Sequence, residues 1–479
     1  MKTPFVLVLV AMLAVLIITH ASQDPTRSGS LVLTHVTVID ATGAAASPDV
    51  TVVITGDRIN EIGPPDSIRL PKEALVVDAT GKYLIPGLWD MHVHWYLKDY
   101  LPLFIANGVT GIRLMWGMPI HQAWRNEMAK GRLIGPRLVI ASPIIDGPKP
   151  IWRGSMAVAD SVSARTAVRE VKRDGADFVK VYSLLPRNAY LAIADEAKKQ
   201  GLPFAGHVPH WVSVAEASDA GQKSIEHLTG ILSACSDREE QVRKGLEDAY
   251  SNLAENQRFP SRARTNPLTR LMVESFNSKK AAALFDRLKR NQTWQCPTIT
   301  VLRSTAFIDD PKLRSDPRLK YMPAQIRTSW DPATDSRFRQ RTAEDFELAR
   351  VVFKKNLELI GMMRRAGVEF IAGTDTLNPY CFPGFSLHNE LDLLVQAGLT
   401  PMEALQAATF NPARFLGKEK ELGTVERGKI ADLVLLEANP LQDINNTKRI
   451  NAVVMGGRLI TKAELGEMLA KIEAAANQN

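Results

Sequence analysis

Between Leu84 and about Leu416 the chain repeats one texture, a short apolar strand followed by an amphipathic helix, in several places with glycine just past the helix end. "DFVKVYS" leads into the helical "NAYLAIADEAKKQG"; "LPFAGHV", "VSVAEASDAG" and "KSIEHL" follow, and later "TWQCPTITVL" and "GVEFIAGTDT". Short apolar strands separated by amphipathic helices indicate parallel βαβ units. The span holds roughly eight such units, close to the usual size of a (β/α)8 barrel. The fold class is therefore α/β, with a TIM-like barrel over residues 84–417. The last barrel helix has a well-marked start: Thr400 as N-cap, Pro401 in the first turn and Glu403 completing a capping box.

The flanks read differently. "LVLTHVTVID" alternates apolar and polar residues, and "TVVIT" and "RINEIG" meet at Gly56-Asp57, a two-residue hairpin signal. These strands are too few to form a core alone. "KIADLVLLE" and "NAVVMGGRLIT", turned at Gly456-Gly457, supply the missing half. Residues 31–83 plus 418–462 are thus expected to form one small β-sandwich built from both termini, with the barrel inserted between them and a closing helix over 463–479. Residues 236–343 are too long and too charged for one barrel helix, and read either as solvated helical decoration or as a cap over the barrel mouth.

Lys2, the apolar run Phe5–Ile18 and the small residues of "THAS" match a secretory signal peptide over residues 1–21, cleaved after Ala21. An uncleaved anchor is the alternative, weakened by the shortness of the run. The expected location is periplasmic or secreted, with no membrane partner after cleavage. A formal net charge of +7 spread over 479 residues, with no basic cluster, argues against a nucleic-acid partner. Cys235, Cys296 and Cys381 make no disulfide framework and read as buried thiols. Self-association through exposed barrel helices is left open.

The chemistry is carried by strand ends. In "DMHVHW" His92 and His94 lie two apart and project from one strand face, at the end where barrel active sites sit. Four later strands each end in a residue able to hold a metal: Lys180, His207, His227 and Asp375. Five strands delivering coordinating groups to one rim make a candidate metal site.

This pattern resembles the amidohydrolase superfamily, which has an HxH on strand one, a lysine on strand four, histidines on strands five and six and an aspartate on strand eight. The resemblance extends over nearly the whole mature chain, including "LGTVERGKIADLVLLEANPLQDI". It looks most like the imidazolonepropionase-related and prolidase-like members, through "KVY" (Lys180–Tyr182) and "GHVP" (Gly206–Pro209). It implies two divalent metal ions, zinc fitting the donors well. His92, His94 and Asp375 would hold the more buried ion, and His207 and His227 the outer one. Lys180 would bridge both as a carbamate formed with carbon dioxide, because a bare ammonium cannot ligate. It further implies attack by a metal-bridged hydroxide, with Asp375 carrying the proton to the departing nitrogen.

Tyr182 and Arg113 are the candidate substrate contacts. Tyr182 could equally be packing, and Arg113 an internal ion pair; many relatives have aspartate after that arginine, where this chain has Leu114. Glu226 is expected to point away from His227 along the strand and carries no role, and His121 and His210 read as surface histidines. The expected activity is hydrolysis of an amide bond in a small molecule such as a dipeptide or N-acyl amino acid. A mononuclear cyclic-amide hydrolase or deaminase is the alternative. A non-catalytic binding protein would show lost ligands, and none is lost.

Overall fold

In the computed structural model, which describes residues 29–254 and 257–478, the first alternating stretch is strand β1 (Ser30–Val38). Its buried positions run Leu31, Leu33, then Val36, Val38: the phase slips once. The slip falls at His35, whose φ of 57° inserts a bulge and keeps both halves facing the same core. β2 (Ser47–Thr55) and β3 (Arg58–Gly63) form the expected hairpin, with Gly56 at φ 60° in its turn. β4 (Leu75–Asp78) and β5 (Tyr83–Pro86) both pair with β1 in parallel. The segment expected to be a signal peptide, residues 1–21, lies outside the described residues. Among those described, no helix is long and apolar enough to cross a membrane.

The alternating region forms a parallel sheet. Its strands are β6 (Leu88–Val93), β7 (Val109–Leu114), β8 (Arg137–Asp146), β10 (Phe178–Val181), β11 (Phe204–Gly206), β12 (Ser224–Glu226) and β13 (Trp294–Cys296), with the short β9 (Met156–Ala157) beside β8. They pair in chain order from β6 to β13. The extended segment Glu369–Thr376 closes the ring. Its Phe370 bridges Gln295 of β13 and its Thr376 bridges Val93 of β6, both in parallel. The Met91 amide donates to the Ala372 carbonyl at 2.8 Å and the Asp375 amide to the His92 carbonyl at 2.8 Å. "GVEFIAGTDT" thus occupies the eighth position of a TIM-like barrel.

Gly373 shows how tightly that closure is packed: a Cβ there would lie 2.6 Å from Cys296 Sγ and 2.8 Å from His92 Cβ. Gly373→Ala is expected to lower the unfolding free energy by about 1–3 kcal/mol through overpacking. Denaturant titration checks this, and an unchanged midpoint would contradict so close an approach.

Helices cover the barrel as their periodicity requires. Ser161–Arg173 buries Ala164, Ala167, Val168 and Val171, one face at three- and four-residue spacing, and Asp160 caps it by accepting from the Val162 and Ser163 amides. The capping box at Thr400 and Glu403 is present with both of its bonds.

Beyond the barrel come β14 (Leu433–Leu436), β15 (Ile450–Met455) and β16 (Arg458–Thr461), followed by the helix Lys462–Gln478. β14 pairs antiparallel with β5, so strands from both ends of the described chain join, as the two half-sets of strands required. They form one hydrogen-bonded path, β16-β15-β14-β5-β1-β2-β3, rather than two separately paired sheets. A bidentate Arg137–Asp432 contact ties this sheet to the start of β8.

Candidate metal centre

All six residues of the expected ligand set stand on one rim of the barrel. His92 lies in β6, with His94 just beyond it, and Lys180 lies in β10. His207 and His227 directly follow β11 and β12, and Asp375 belongs to the closing segment. Asp375 Oδ1 is 3.4 Å from His92 Nε2 and 3.3 Å from His94 Nε2, and its Oδ2 is 3.8 Å from His227 Nδ1. The His92 and His227 ring centroids are 4.5 Å apart, and those of His207 and His227 4.9 Å. Lys180 Nζ lies 5.8 Å from the Tyr182 ring, which stacks on His207 at 4.0 Å.

Backbone conformation does part of the aiming. His227 has φ 58° and Asp375 φ 57°, left-handed values that non-glycine residues adopt at a cost of about 1–3 kcal/mol. At His227 this breaks the strand's alternation, so that Glu226 and His227, adjacent in sequence, both serve the interior. The expectation that Glu226 points away is therefore corrected. Glu226 is fully buried, its Oε2 is 2.7 Å from His92 Nδ1, and both its oxygens accept from Arg113 Nη2 at 2.9 and 3.0 Å.

Arg113 is sealed inside the barrel. Its Nε donates to the Met91 carbonyl and its Nη1 to Ser224 Oγ, so its bonds go to protein groups, as in the ion-pair alternative. Tyr182 stays at the rim, its hydroxyl accepting from Trp152 Nε1 at 2.8 Å. His121 and His210 depart from the surface reading. His121 is buried with Nε2 2.9 Å from the Trp95 carbonyl, and His210 stacks on Tyr250. Cys235, Cys296 and Cys381 are free and buried.

Three imidazoles have one nitrogen tied down. His92 Nδ1 is held by Glu226, His207 Nδ1 by Ser183 Oγ at 2.8 Å, and His227 Nδ1 by Thr298 Oγ1 at 2.6 Å. Such partners fix ring orientation, as around metal-binding histidines, and at His92 they leave Nε2 toward Asp375. Other buried atoms at the rim have no hydrogen-bond partner: His92 Nε2, His94 Nδ1, Lys180 Nζ and Asp375 Oδ1. An unpaired polar atom in a protein interior costs about 1–3 kcal/mol, so a cluster of them calls for a cation-sized guest. Donor atoms of His92, His227 and Asp375 all lie within 4.8 Å of one another, as one ion requires. The structure thus groups His227 with His92 and Asp375, whereas the resemblance placed it with His207.

Electrostatics agree with this chemistry. Burial and the neighbouring Lys180 hold His92 well below the ordinary imidazole range, and burial with His227 does the same to His207, so both present neutral donors. Burial would raise Asp375, but His227, His92 and His94 outweigh it and keep its carboxyl ionised. Burial brings the Lys180 amine down to about 8, against the pull of Glu226 and Asp375, so a neutral nucleophilic amine is accessible near physiological pH. Asp90, raised to about 7 by burial, accepts from the His92 and Thr374 amides and from Thr374 Oγ1. It thereby locks β6 to the closing segment one residue before Asp375.

Glu226→Gln tests the support of His92. It removes the charge facing Arg113 and weakens the bond to His92 Nδ1. The expected loss of affinity for added zinc is about 10–100-fold, read by competition with a chelating dye. An unchanged affinity would mean that His92 needs no such partner.

Comparison with known proteins agrees with the geometry. Residues 332–460 match the model of the Amidohydrolase family. Ochratoxinase from Aspergillus niger is 24% identical over 449 residues, covering 80% of this chain and 76% of the relative. Imidazolonepropionase from Shouchella clausii is 34% identical over 115 residues, covering 23% of this chain and 25% of the relative. Among solved structures, bottromycin amidohydrolase superposes with a TM-score of 0.73 at 21% identity, covering 93% of this chain and 90% of the other. A Xaa-Pro dipeptidase with methionine bound in its active site gives 0.65 at 20% identity, covering 90% of this chain and 100% of the other. Over residues 332–460 the chain thus carries the Amidohydrolase family pattern, and along most of its length it is similar to proteins named as hydrolases.

Proposed function

We propose that the rim cluster is the centre of a metal-dependent amidohydrolase that cleaves the C–N amide bond of a small substrate, of the dipeptide or N-acyl amino acid class. The supporting observation is the set of buried atoms without hydrogen-bond partners at this rim, His92 Nε2, Lys180 Nζ and Asp375 Oδ1, beside three histidines whose Nδ1 is held by a hydrogen bond. His92, His94, His207, His227 and Asp375 would hold two divalent cations, zinc suiting imidazole and carboxylate donors, with Lys180 between them as a carbamate. Such ions supply positive charge that polarises a carbonyl and acidifies water. Asp375, ionised, accepts the proton of the attacking water and returns it to the amide nitrogen, which leaves only once protonated. Tyr182, whose ring stacks on His207, would contact the substrate. Relatives named for amide substrates support this reading, and the N-terminal segment supports a periplasmic or secreted site of action.

A second reading has one observation behind it: among the described residues, the expected ligands whose donor atoms meet at a single point are His92, His227 and Asp375, without His94 or His207. A mononuclear enzyme opening a cyclic amide, or deaminating a heterocycle, would leave Lys180 as a plain amine. Metal content per chain, on protein made with zinc and bicarbonate, separates the two. Two ions with turnover of dipeptides or N-acyl amino acids support the first reading. One ion, with turnover of cyclic amides, replaces it with the second.

A further inference from the structure

The helix Ile299–Ala306 starts just beyond β13, and Thr298 is its N-cap residue. A threonine in that place ordinarily turns its hydroxyl to the free amides of the first helical turn. The Thr298 hydroxyl makes no such bond. It donates instead to the Pro297 carbonyl at 2.8 Å, and its oxygen lies 2.6 Å from His227 Nδ1. A hydroxyl has a single hydrogen, so toward His227 the oxygen accepts and Nδ1–H donates. The neutral ring is thereby fixed in one tautomer, with its lone pair on Nε2.

The helix is capped from elsewhere in the chain. Glu390, fully buried on the helix Phe385–Gln396, accepts from the Ile299 amide through Oε1 at 2.9 Å. Its Oε2 accepts from the Thr300 amide at 2.7 Å and from Thr300 Oγ1 at 2.8 Å. These are the first two amides of the helix, in the turn that the N-cap side chain would otherwise serve. Thr298 itself has φ 47°, a region costly for a β-branched residue and kept only where the surroundings impose it. Here the imposition comes from both sides. The Val301 amide donates to the Thr298 carbonyl at 3.1 Å, and Glu390 fixes the two residues between them. Both Glu390 oxygens act as acceptors. Glutamine would set an N–H group against one of those donors, so it cannot make the same bonds.

We propose that Glu390 is a positioning residue for the metal centre: it caps the helix in place of Thr298, and so frees the Thr298 hydroxyl to orient His227. This role presupposes the metal-centre reading given above. Glu390 acts at one remove, through Thr298, and the property it governs is how His227 is presented to a cation.

Zinc affinity, by competition with a chelating dye, and the visible absorption of the cobalt-loaded full chain are compared for the parent, Glu390→Gln, Thr298→Val and the double variant. Glu390→Gln should weaken zinc binding by about 10–100-fold and shift the cobalt bands. Thr298→Val should do the same. The double variant should bind no more weakly than Thr298→Val alone, because both changes act on one bond. Parent-like affinity and cobalt bands in Glu390→Gln overturn the proposal even where the denaturant midpoint falls, since Glu390 is then a helix cap and nothing more. Losses that multiply in the double variant overturn the route through Thr298. Thr300→Val removes one of the three bonds and leaves the carboxylate; it should give a smaller loss in the same direction. That variant decides the matter if Glu390→Gln does not fold, and unchanged binding in it overturns the proposal. A parent chain that takes up neither zinc nor cobalt refutes the metal-centre reading. A parent that binds both, with Glu390→Gln indistinguishable from it, refutes the role of Glu390 alone.

Discussion

Asp375→Asn is expected to lower turnover by about 10²–10⁴-fold, the range that a positioned general acid–base contributes, while leaving bound metal largely in place. Asparagine matches aspartate in shape and keeps one oxygen where Oδ1 now faces His92 Nε2 at 3.4 Å and His94 Nε2 at 3.3 Å. It cannot accept a proton from water and pass it on. The rim histidines hold Asp375 as a carboxylate against the pressure of burial, so the native residue is ready to receive that proton. Kinetics alongside elemental analysis check the two halves together. Turnover within about threefold of the parent would take the shuttle away from Asp375. Loss of metal in proportion to loss of activity would make it a ligand only.

Lys180→Ala should remove activity and lower the metal count from two ions per chain to one or none. Lys180 Nζ is fully buried, with no hydrogen-bond partner, beside groups of both charges. A plain ammonium there would face two cations unassisted, which is strongly unfavourable. As a carbamate the same side chain offers two anionic oxygens. A short carboxylic acid such as acetate or propionate, added to the variant, should enter the space left by the side chain and restore part of the metal binding and turnover. Rescue of this kind cannot come from a chain that has merely misfolded. Unchanged metal content and turnover in Lys180→Ala would end the binuclear reading.

Strand-end positions were legible from the sequence because a period of two and a following turn are local properties. His92 and His94 follow from the first, and Lys180, His207, His227 and Asp375 from the second. The groups that orient them were not legible. Glu226 was assigned to the wrong side because alternation holds only while the backbone stays extended, and His227 leaves that region with φ 58°. Thr298, also left-handed at φ 47°, and Ser183 act on rings from other strands, and nothing local announces those meetings. Strands from the two sides of the barrel do pair, through β5 and β14, as too few lay on either side to stand alone. Their single continuous path depends on β5 pairing with both β1 and β14, a matter of tertiary register.

That double pairing bears on how the molecule comes to be folded at all. A chain emerging from its N-terminus presents β1 to β5 early, yet β5 keeps one open edge until Leu433–Leu436 arrives to align Leu435 with Leu84. Contacts so far apart in sequence slow folding, and an open edge in the meantime invites association with other chains. In the folded chain the Gly87 amide donates to the Asp432 carbonyl at 2.8 Å, so the start of the barrel holds β14 beside β5. The barrel ring thus acts as the clasp that holds the two ends of the sheet together.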